Sequence, residues 1–573
     1  MLQTLTTPRG KTLSGTPWQV YPRPQMRRDS YINLNGEWDF AVSSGKPETF
    51  DMRITVPFCP ESRLSGIGRH FEEGAPLWYR RRFLLHEGFR RERVLLHIGA
   101  ADQIAEVFVN GQHLCRHEGG YASFCVDITE ALAEENELVI RCTDDLHDQA
   151  FPYGKQVMNQ GGMWYTPVSG IWQTVWLESV PDIYIEKLNI ENHGASVTIS
   201  TVPPLEGTVS VEPLGQFPLE NGQVTIAPEN PHFWCPDDPY LYRFALETAQ
   251  DRVESYFAIR SLEIKKVGEY PRLCLNGKPY FFHGLLDQGY WPEGLLTAPA
   301  PESYADDILA MKRLGFNTLR KHIKVEPEEF YYQCDRLGMI VWQDMVNNGS
   351  YSYFRDTVLP TIGIQKWNDR RLHLDERSRN TFRQGAADAV NQLKNHPCIC
   401  YWTIFNEGWG QFDSDRVCGW FRTLDATRFI DTTSGWFRGK NTDVDSRHQY
   451  FGKLRLTGDG LRPLVLSEFG GKTWRVEGHI FNPDKTYGYG ACPTREALNE
   501  AVAALYRESI VPAVEKGLCA AIYTQVSDVE DEVNGLITYD RRVVKLDADT
   551  MLPISRALQD AMEKTVASFE KMG

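Results

Sequence analysis

Two glutamates sit where a chain places groups that do chemistry. Glu407 ends the run Cys400-Tyr-Trp-Thr-Ile-Phe-Asn-Glu407, and Glu468 follows Leu464-Val-Leu-Ser467. Each run reads as a buried strand, and each carboxylate is followed at once by glycine or aromatic turn residues. A carboxylate at the C-terminal end of a parallel strand is where a (β/α)8 barrel holds its reactive groups. Two of them on different strands suit cleavage of a glycosidic bond. One protonates the leaving oxygen while the other attacks or activates water.

The elements that must position these glutamates follow from the periodicity. After residue 264, helical and strand patterns alternate. A helix is expected from Pro301 to Leu314, with Tyr304, Ile308, Met311 and Leu314 on one stripe and Gly315 at its end. The strand Asn317–Arg320 follows. A second helix, Pro327 to Leu337, stops at Gly338 and leads into Met339–Asp344. A helix near Phe382–Leu393 leads into Cys398–Phe405, and one over 415–425 leads into Phe429–Thr433. Some 300 residues of this alternation predict a closed parallel barrel. An open doubly wound sheet is the alternative, but no Gly-rich phosphate loop opens any of the helices.

The first 183 residues show no helix of any length. Short alternating runs recur between turn residues, as in Val94–Ile98, Ala105–Val109 and Glu137–Arg141, and Asn110-Gly111 is a hairpin signal. A jelly-roll β-sandwich is expected over 1–183. Clean alternation in Ser196–Ser200 and Gly207–Val211 predicts a small immunoglobulin-like sandwich over 184–263. The barrel then takes 264–573.

Composition narrows the partners. The 76 acidic and 61 basic side chains leave a formal charge of −15, which repels phosphate backbones and anionic membranes, so nucleic acid is not an expected partner. No run of 18 apolar residues suggests a membrane span. The first ten residues lack the apolar core of a signal peptide, so a cytoplasmic location is expected. The twelve cysteines show no CxxC spacing and read as reduced thiols. No dedicated cage for Mg2+ or another metal is signalled, and no cofactor is expected. A homo-oligomer is compatible with the sequence.

The motifs taken together resemble glycoside hydrolase family 2, which contains β-galactosidases, β-glucuronidases and β-mannosidases. Asn33-Leu-Asn-Gly-Glu-Trp-Asp-Phe40, Trp78-Tyr-Arg-Arg81, Glu118-Gly-Gly-Tyr121 and Gly170-Ile-Trp-Gln-Thr-Val-Trp176 resemble its sugar-binding-type sandwich. Trp234 with Pro239–Tyr242 resembles the end of the middle sandwich, and Leu275–Pro279 the entrance to the barrel. Asn395-His-Pro-Cys-Ile-Cys-Tyr-Trp-Thr-Ile-Phe-Asn-Glu407 is similar to the family's acid/base signature almost position for position. The resemblance implies a retaining exo-β-glycosidase with Glu407 as acid/base and Glu468 as nucleophile, their carboxyl groups about 5–5.5 Å apart. A sugar-binding protein without chemistry is the reading from another class.

The same resemblance implies that Asn406 binds the sugar 2-hydroxyl and that Arg320 and His322 line the base of the pocket, Arg320 pairing with the nucleophile. Tyr450 is expected to hydrogen-bond Glu468, with a core tyrosine as the plain alternative. His448 either binds substrate or caps its strand. Asp287, Trp291 and Asp344 lie at strand ends, in the layer of sugar hydroxyls and ring stacking, and Trp409 is a candidate wall. Tyr523 or Gln525 would line the last strand's end, where many relatives place a tryptophan.

The sugar is expected to be neutral, a β-galactoside on family frequency. Glucuronidases keep an Asn-x-Lys pair in the last loop, whereas this chain has the acidic Glu530-Asp-Glu532 there. Val341-Trp-Gln-Asp344 keeps β-mannoside open. A β-glucuronide remains open if Lys321 or Lys324 reaches the pocket.

Overall fold

The computed structural model describes residues 2–359, 364, 369–437, 439–452, 454 and 456–570. Residues 31–180 build a sandwich of a four-stranded and a six-stranded antiparallel sheet. The strand Ile104–Val109 alternates in burial, so Ala105, Val107 and Val109 enter a core shared with Trp38, Phe40 and Tyr79. Asn110 and Gly111 both take positive φ, 49° and 82°, and turn this strand into Gln112–Glu118. Among the described residues one α-helix does occur in this region, the five residues Pro8–Thr12, started by a proline and capped by the Thr7 hydroxyl.

A second sandwich faces three strands against four between Lys187 and Phe257. Buried charge joins the two sandwiches. Arg28 donates to Asp251 at 2.7 Å and to Glu178 at 3.1 Å, and Arg23 reaches Glu178 at 2.7 Å. Burial alone would raise the Glu178 carboxyl, but Arg23, His97 and Arg28 overcome it and hold it well below the usual range. Breaking such a buried pair from one side costs about 3–5 kcal/mol, because the abandoned charge stays in the interior.

The barrel has eight parallel strands: β1 Phe282–Asp287, β2 Thr318–Lys321, β3 Ile340–Asp344, β4 Ile399–Asn406, β5 Phe429–Ser434, β6 Asp445–Gln449, β7 Leu464–Gly470 and β8 Leu518–Thr524. Ladders run in order from β5 back to β1, then through β8 and β7 to β6. At the β5/β6 seam side chains take over, with the Ser434 hydroxyl 3.4 Å from that of Ser446. Every residue of β4 and β7 is buried, because a parallel strand is covered on both faces. That is why these strands read as unbroken runs.

Local chemistry sets the helix ends. Glu376–Leu393 begins six residues before the expected Phe382, where the Asp375 carboxylate accepts from the Ser378 amide. Ser414–Phe421 ends four residues short of the expected 425. Glu328–Leu337 stops at Gly338, whose φ of 71° is left-handed. A Cβ there would meet the Pro236 carbonyl oxygen at 2.3 Å, so only glycine lets the second sandwich approach this closely. Among the described residues no helix is long and apolar enough to cross a membrane.

Candidate active site

Arg320 is the hub around which the strand ends are organised. It leaves β2 with no solvent exposure and touches five partners, one of them His448 Nε2 at 3.4 Å from Nη1. Its Nε lies 3.0 Å from Asp344 of β3, its Nη2 2.8 Å from the Asn406 side-chain oxygen of β4, and its Nη1 3.1 Å from both the Ser467 carbonyl and Glu468 of β7. A planar guanidinium with five fixed donors ties three strands into one geometry, which a lysine could not do.

Glu468 is held ionised. Burial alone would raise its carboxyl, but His448, Arg320 and His322, together with the Tyr450 hydroxyl that donates to Oε2, bring it down to about 2. The Tyr450 ring is fixed by stacking on Tyr489, centroids 3.9 Å apart, and its hydroxyl lies 3.0 Å from that of Thr524. A register shift between Arg447 and His448 sets His448 directly beside Glu468 in the β6/β7 pair. Such irregularities re-aim side chains at functional edges of a sheet.

Glu407 lies just beyond β4 with φ of 51°, a conformation few non-glycine residues adopt. Its amide donates to the Ser434 carbonyl at 2.9 Å, and Trp409 N closes the turn onto Asn406 O at 2.9 Å. The turn aims the carboxylate across the mouth of the barrel. There Oε1 meets His448 Nδ1 at 2.8 Å, while the other ring nitrogen of His448 lies 3.6 Å from Glu468. One imidazole thus links the two carboxylates, and any charge it carries acts on both. Facing atoms of Glu407, His448 and Glu468 all fall within 4.8 Å of one another. Metals also use such a trio, but here the Arg320 cation already occupies the place beside Glu468.

Asn406 gives its oxygen to Arg320, and its Nδ2 is buried with no protein partner. That leaves an N–H donor beside both carboxylates for a hydroxyl of a bound sugar. His322 Nδ1 lies 2.7 Å from Asp344, and burial lowers the imidazole's affinity for a proton despite that contact. Asp344 is therefore spent on Arg320 and His322. It orients the pocket floor and offers no free oxygen to a sugar.

Several sequence candidates lie apart from the carboxylate pair. Asp287 binds Lys321 at 2.6 Å and the Gly289 amide at 3.0 Å, inside an ion network with Glu326 and Lys324. Lys321 and Lys324 are consumed there, so neither reaches a substrate. Trp291 is 2 % exposed and covered by the Arg541 guanidinium 4.0 Å from its ring centre, which closes it to stacking. Tyr523 packs on Phe469, and its hydroxyl accepts from the Lys472 amide at 3.0 Å, outside the site. Gln525 belongs to a buried chain, accepting from Gln288 at 2.8 Å and donating to Asn534 at 2.9 Å.

Trp409, a candidate wall of the pocket, is buried against a partner that no barrel periodicity could announce. Its ring stacks on Trp164, 5.2 Å away, from a loop of the N-terminal sandwich. That loop is fastened to the barrel at both ends. Tyr153 N and its hydroxyl donate to Asn347 O at 3.1 Å and Gly349 O at 2.8 Å. On the other side Tyr165 donates to Glu532 at 2.5 Å, and the Thr166 amide to Glu530 at 3.0 Å. Lys155, Trp164 and Tyr165 are thereby brought to the mouth. The sequence signal was faint: a Gly161-Gly162 pair followed by two aromatics, which reads as a turn.

Fold and site define a multidomain barrel of the two-carboxylate kind. Comparison with known proteins narrows the class. Residues 266–454 match the family model "Glycosyl hydrolases family 2, TIM barrel domain", and residues 69–162 match "Glycosyl hydrolase 2 galactose-binding domain-like". The chain belongs to glycosyl hydrolase family 2. It is 24% identical over 358 residues to a β-galactosidase of Thermoanaerobacter pseudethanolicus, covering 57% of this chain and 44% of that protein. It is 24% identical over 461 residues to a β-glucuronidase of Paenibacillus borealis, covering 72% and 73%. The chain spans about half the length of several of its curated relatives. Among solved structures it resembles a β-glucuronidase of an uncultured Clostridium sp. (TM-score 0.70, 18% identity, 96% and 100% of the two chains covered). It also resembles a family 2 β-galacturonidase of Eisenbergiella tayi (TM-score 0.67, 16% identity, 95% and 99% covered).

Proposed function

We propose that this chain is a retaining β-glycosidase that removes a terminal β-linked sugar. The observation that carries the reading is the Glu407–His448–Glu468 arrangement, with facing atoms within 4.8 Å. Retention calls for carboxyl groups about 5–5.5 Å apart, and inversion for about 6.5–9.5 Å to admit a water. The short spacing supports retention.

In this mechanism the ionised Glu468 attacks the anomeric carbon while Glu407 gives its proton to the departing glycosidic oxygen. A covalent glycosyl-enzyme results. Water then enters, Glu407 takes its proton, and the C–O bond to Glu468 breaks to restore the β-configuration. Arg320 and Tyr450 fix the nucleophile, and the free Asn406 N–H binds the 2-hydroxyl, a contact that strengthens as positive charge grows on the ring. A sugar-binding protein would have no use for a carboxylate held at about 2 beside a second one.

The relatives include both β-galactosidases and β-glucuronidases, so a β-galactoside and a β-glucuronide are both candidate substrates. The reaction is tested by proton NMR of early hydrolysis of a nitrophenyl β-glycoside. The β-anomer of the free sugar appears first and then mutarotates. Initial appearance of the α-anomer would mean inversion and a different mechanism.

A further inference from the structure

Among the described residues, Lys155 is a buried lysine without a counter-ion. Among the described residues four lysines are buried: Lys155, Lys321, Lys324 and Lys545. The last three all have carboxylate partners, Asp287 and Glu326 for Lys321, Glu326 for Lys324 and Asp528 for Lys545. Lys155 is 6 % exposed, and among the described residues its ammonium group has no hydrogen-bond or ion-pair partner. Its nitrogen lies 5.3 Å from the ring centre of Trp409 and 5.8 Å from that of Tyr165. Its charge is felt at His322, on the pocket floor. The stem is buried between two aromatic faces while the donors of its ammonium are unclaimed by protein, which leaves them for a group that enters the mouth.

The carboxylates of the pocket floor and of the loop after β8 have other partners. Asp344 is held by Arg320 and His322, and Glu468 by Arg320 and Tyr450. Glu530 accepts from the Thr166 amide, Asp531 from Asn482 at 2.7 Å, and Glu532 from Tyr165 and Asn534. The acidic loop after β8 therefore turns Glu530 and Glu532 toward the sandwich loop that it tethers. A substrate is therefore free to bring the anion that Lys155 lacks.

We infer that Lys155, delivered by the N-terminal sandwich loop, is a specificity-determining residue that binds the carboxylate of a β-linked uronic acid at the barrel mouth. This rests on the glycosidase reading above and selects among its sugars. The ammonium comes from the N-terminal sandwich, whereas the last loop of the barrel is acidic. A carboxylate completes the ion pair in a water-poor site, whereas the hydroxymethyl group of a neutral hexose leaves the ammonium unpaired.

The test compares nitrophenyl β-glucuronide and β-galacturonide with the matching glucoside and galactoside, on the full chain and on K155M and K155R. One of the two uronides is expected to exceed its neutral counterpart in kcat/KM by roughly 100-fold or more. K155M lowers that uronide-to-neutral ratio by about the same factor, chiefly through KM, and K155R restores part of it. Calorimetric binding of free glucuronate and galacturonate gives a readout independent of turnover. Wild type binds one of them, and K155M, checked for an unchanged melting transition, does not. Preferred hydrolysis of a neutral glycoside, or an unchanged ratio in K155M, would overturn the role of Lys155 and leave the glycosidase reading standing. Uronate binding that depends on Lys155, without hydrolysis of any glycoside, would sink the glycosidase reading and keep the site.

Discussion

Glu468→Gln lowers kcat on every glycoside by at least about 10⁴-fold, the scale seen when a covalent nucleophile is removed. The amide keeps the shape but cannot form the glycosyl ester. Arg320 retains Asp344 as its anionic partner, so the pocket floor and the circular dichroism spectrum should be preserved. The same variant carries a stability signature. Folding depresses the Glu468 carboxyl from 4.5 to about 2, so its stabilising contribution is complete above pH 4.5 and is lost as the pH falls toward 2. Denaturant titrations should therefore show the stability difference between wild type and variant shrinking across that window. A constant difference would mean that the carboxylate is not held as described.

Glu407→Ala has the second largest effect, and a different fingerprint. General acid–base assistance is worth about 10²–10⁴-fold, so alkyl glycosides, whose leaving groups need a proton, lose roughly 10³-fold in kcat/KM. Dinitrophenyl glycosides, whose leaving groups need none, keep most of their first step. Their turnover then stalls at deglycosylation, because no base activates water. Azide needs no base, fits the space left by the side chain, and should restore the rate while yielding a β-glycosyl azide. Equal losses on both substrate types, with no azide rescue, would assign Glu407 a structural role.

Much of the architecture was legible because its signals are local. The unbroken apolar runs of β4 and β7 are what a strand covered on both faces must look like, and helix stops such as Gly338 are fixed by backbone geometry. The two glutamates stood out for the same reason, since each directly follows or ends such a run. What could not be read was side-chain allegiance across sequence distance. Asp287 and Trp291 occupy plausible strand-end positions, yet Lys321 and Arg541 claim them. Asp344 and Gln525 are consumed by neighbours in the same layer. Lys155 and Trp164 belong to a different domain, far in sequence from the barrel they serve, and no periodicity connects them to it. Nor does any propensity announce that Glu407 turns left-handed at the end of β4.

The central claim is a covalent bond to one particular oxygen. A dinitrophenyl 2-deoxy-2-fluoro-β-glycoside of the sugar the enzyme prefers forms the intermediate but slows its breakdown, because fluorine destabilises the charged transition state. Peptide mass spectrometry of the inactivated protein should find one sugar per chain, attached to Glu468. A label on Glu407, or steady hydrolysis with no label anywhere, would contradict the account.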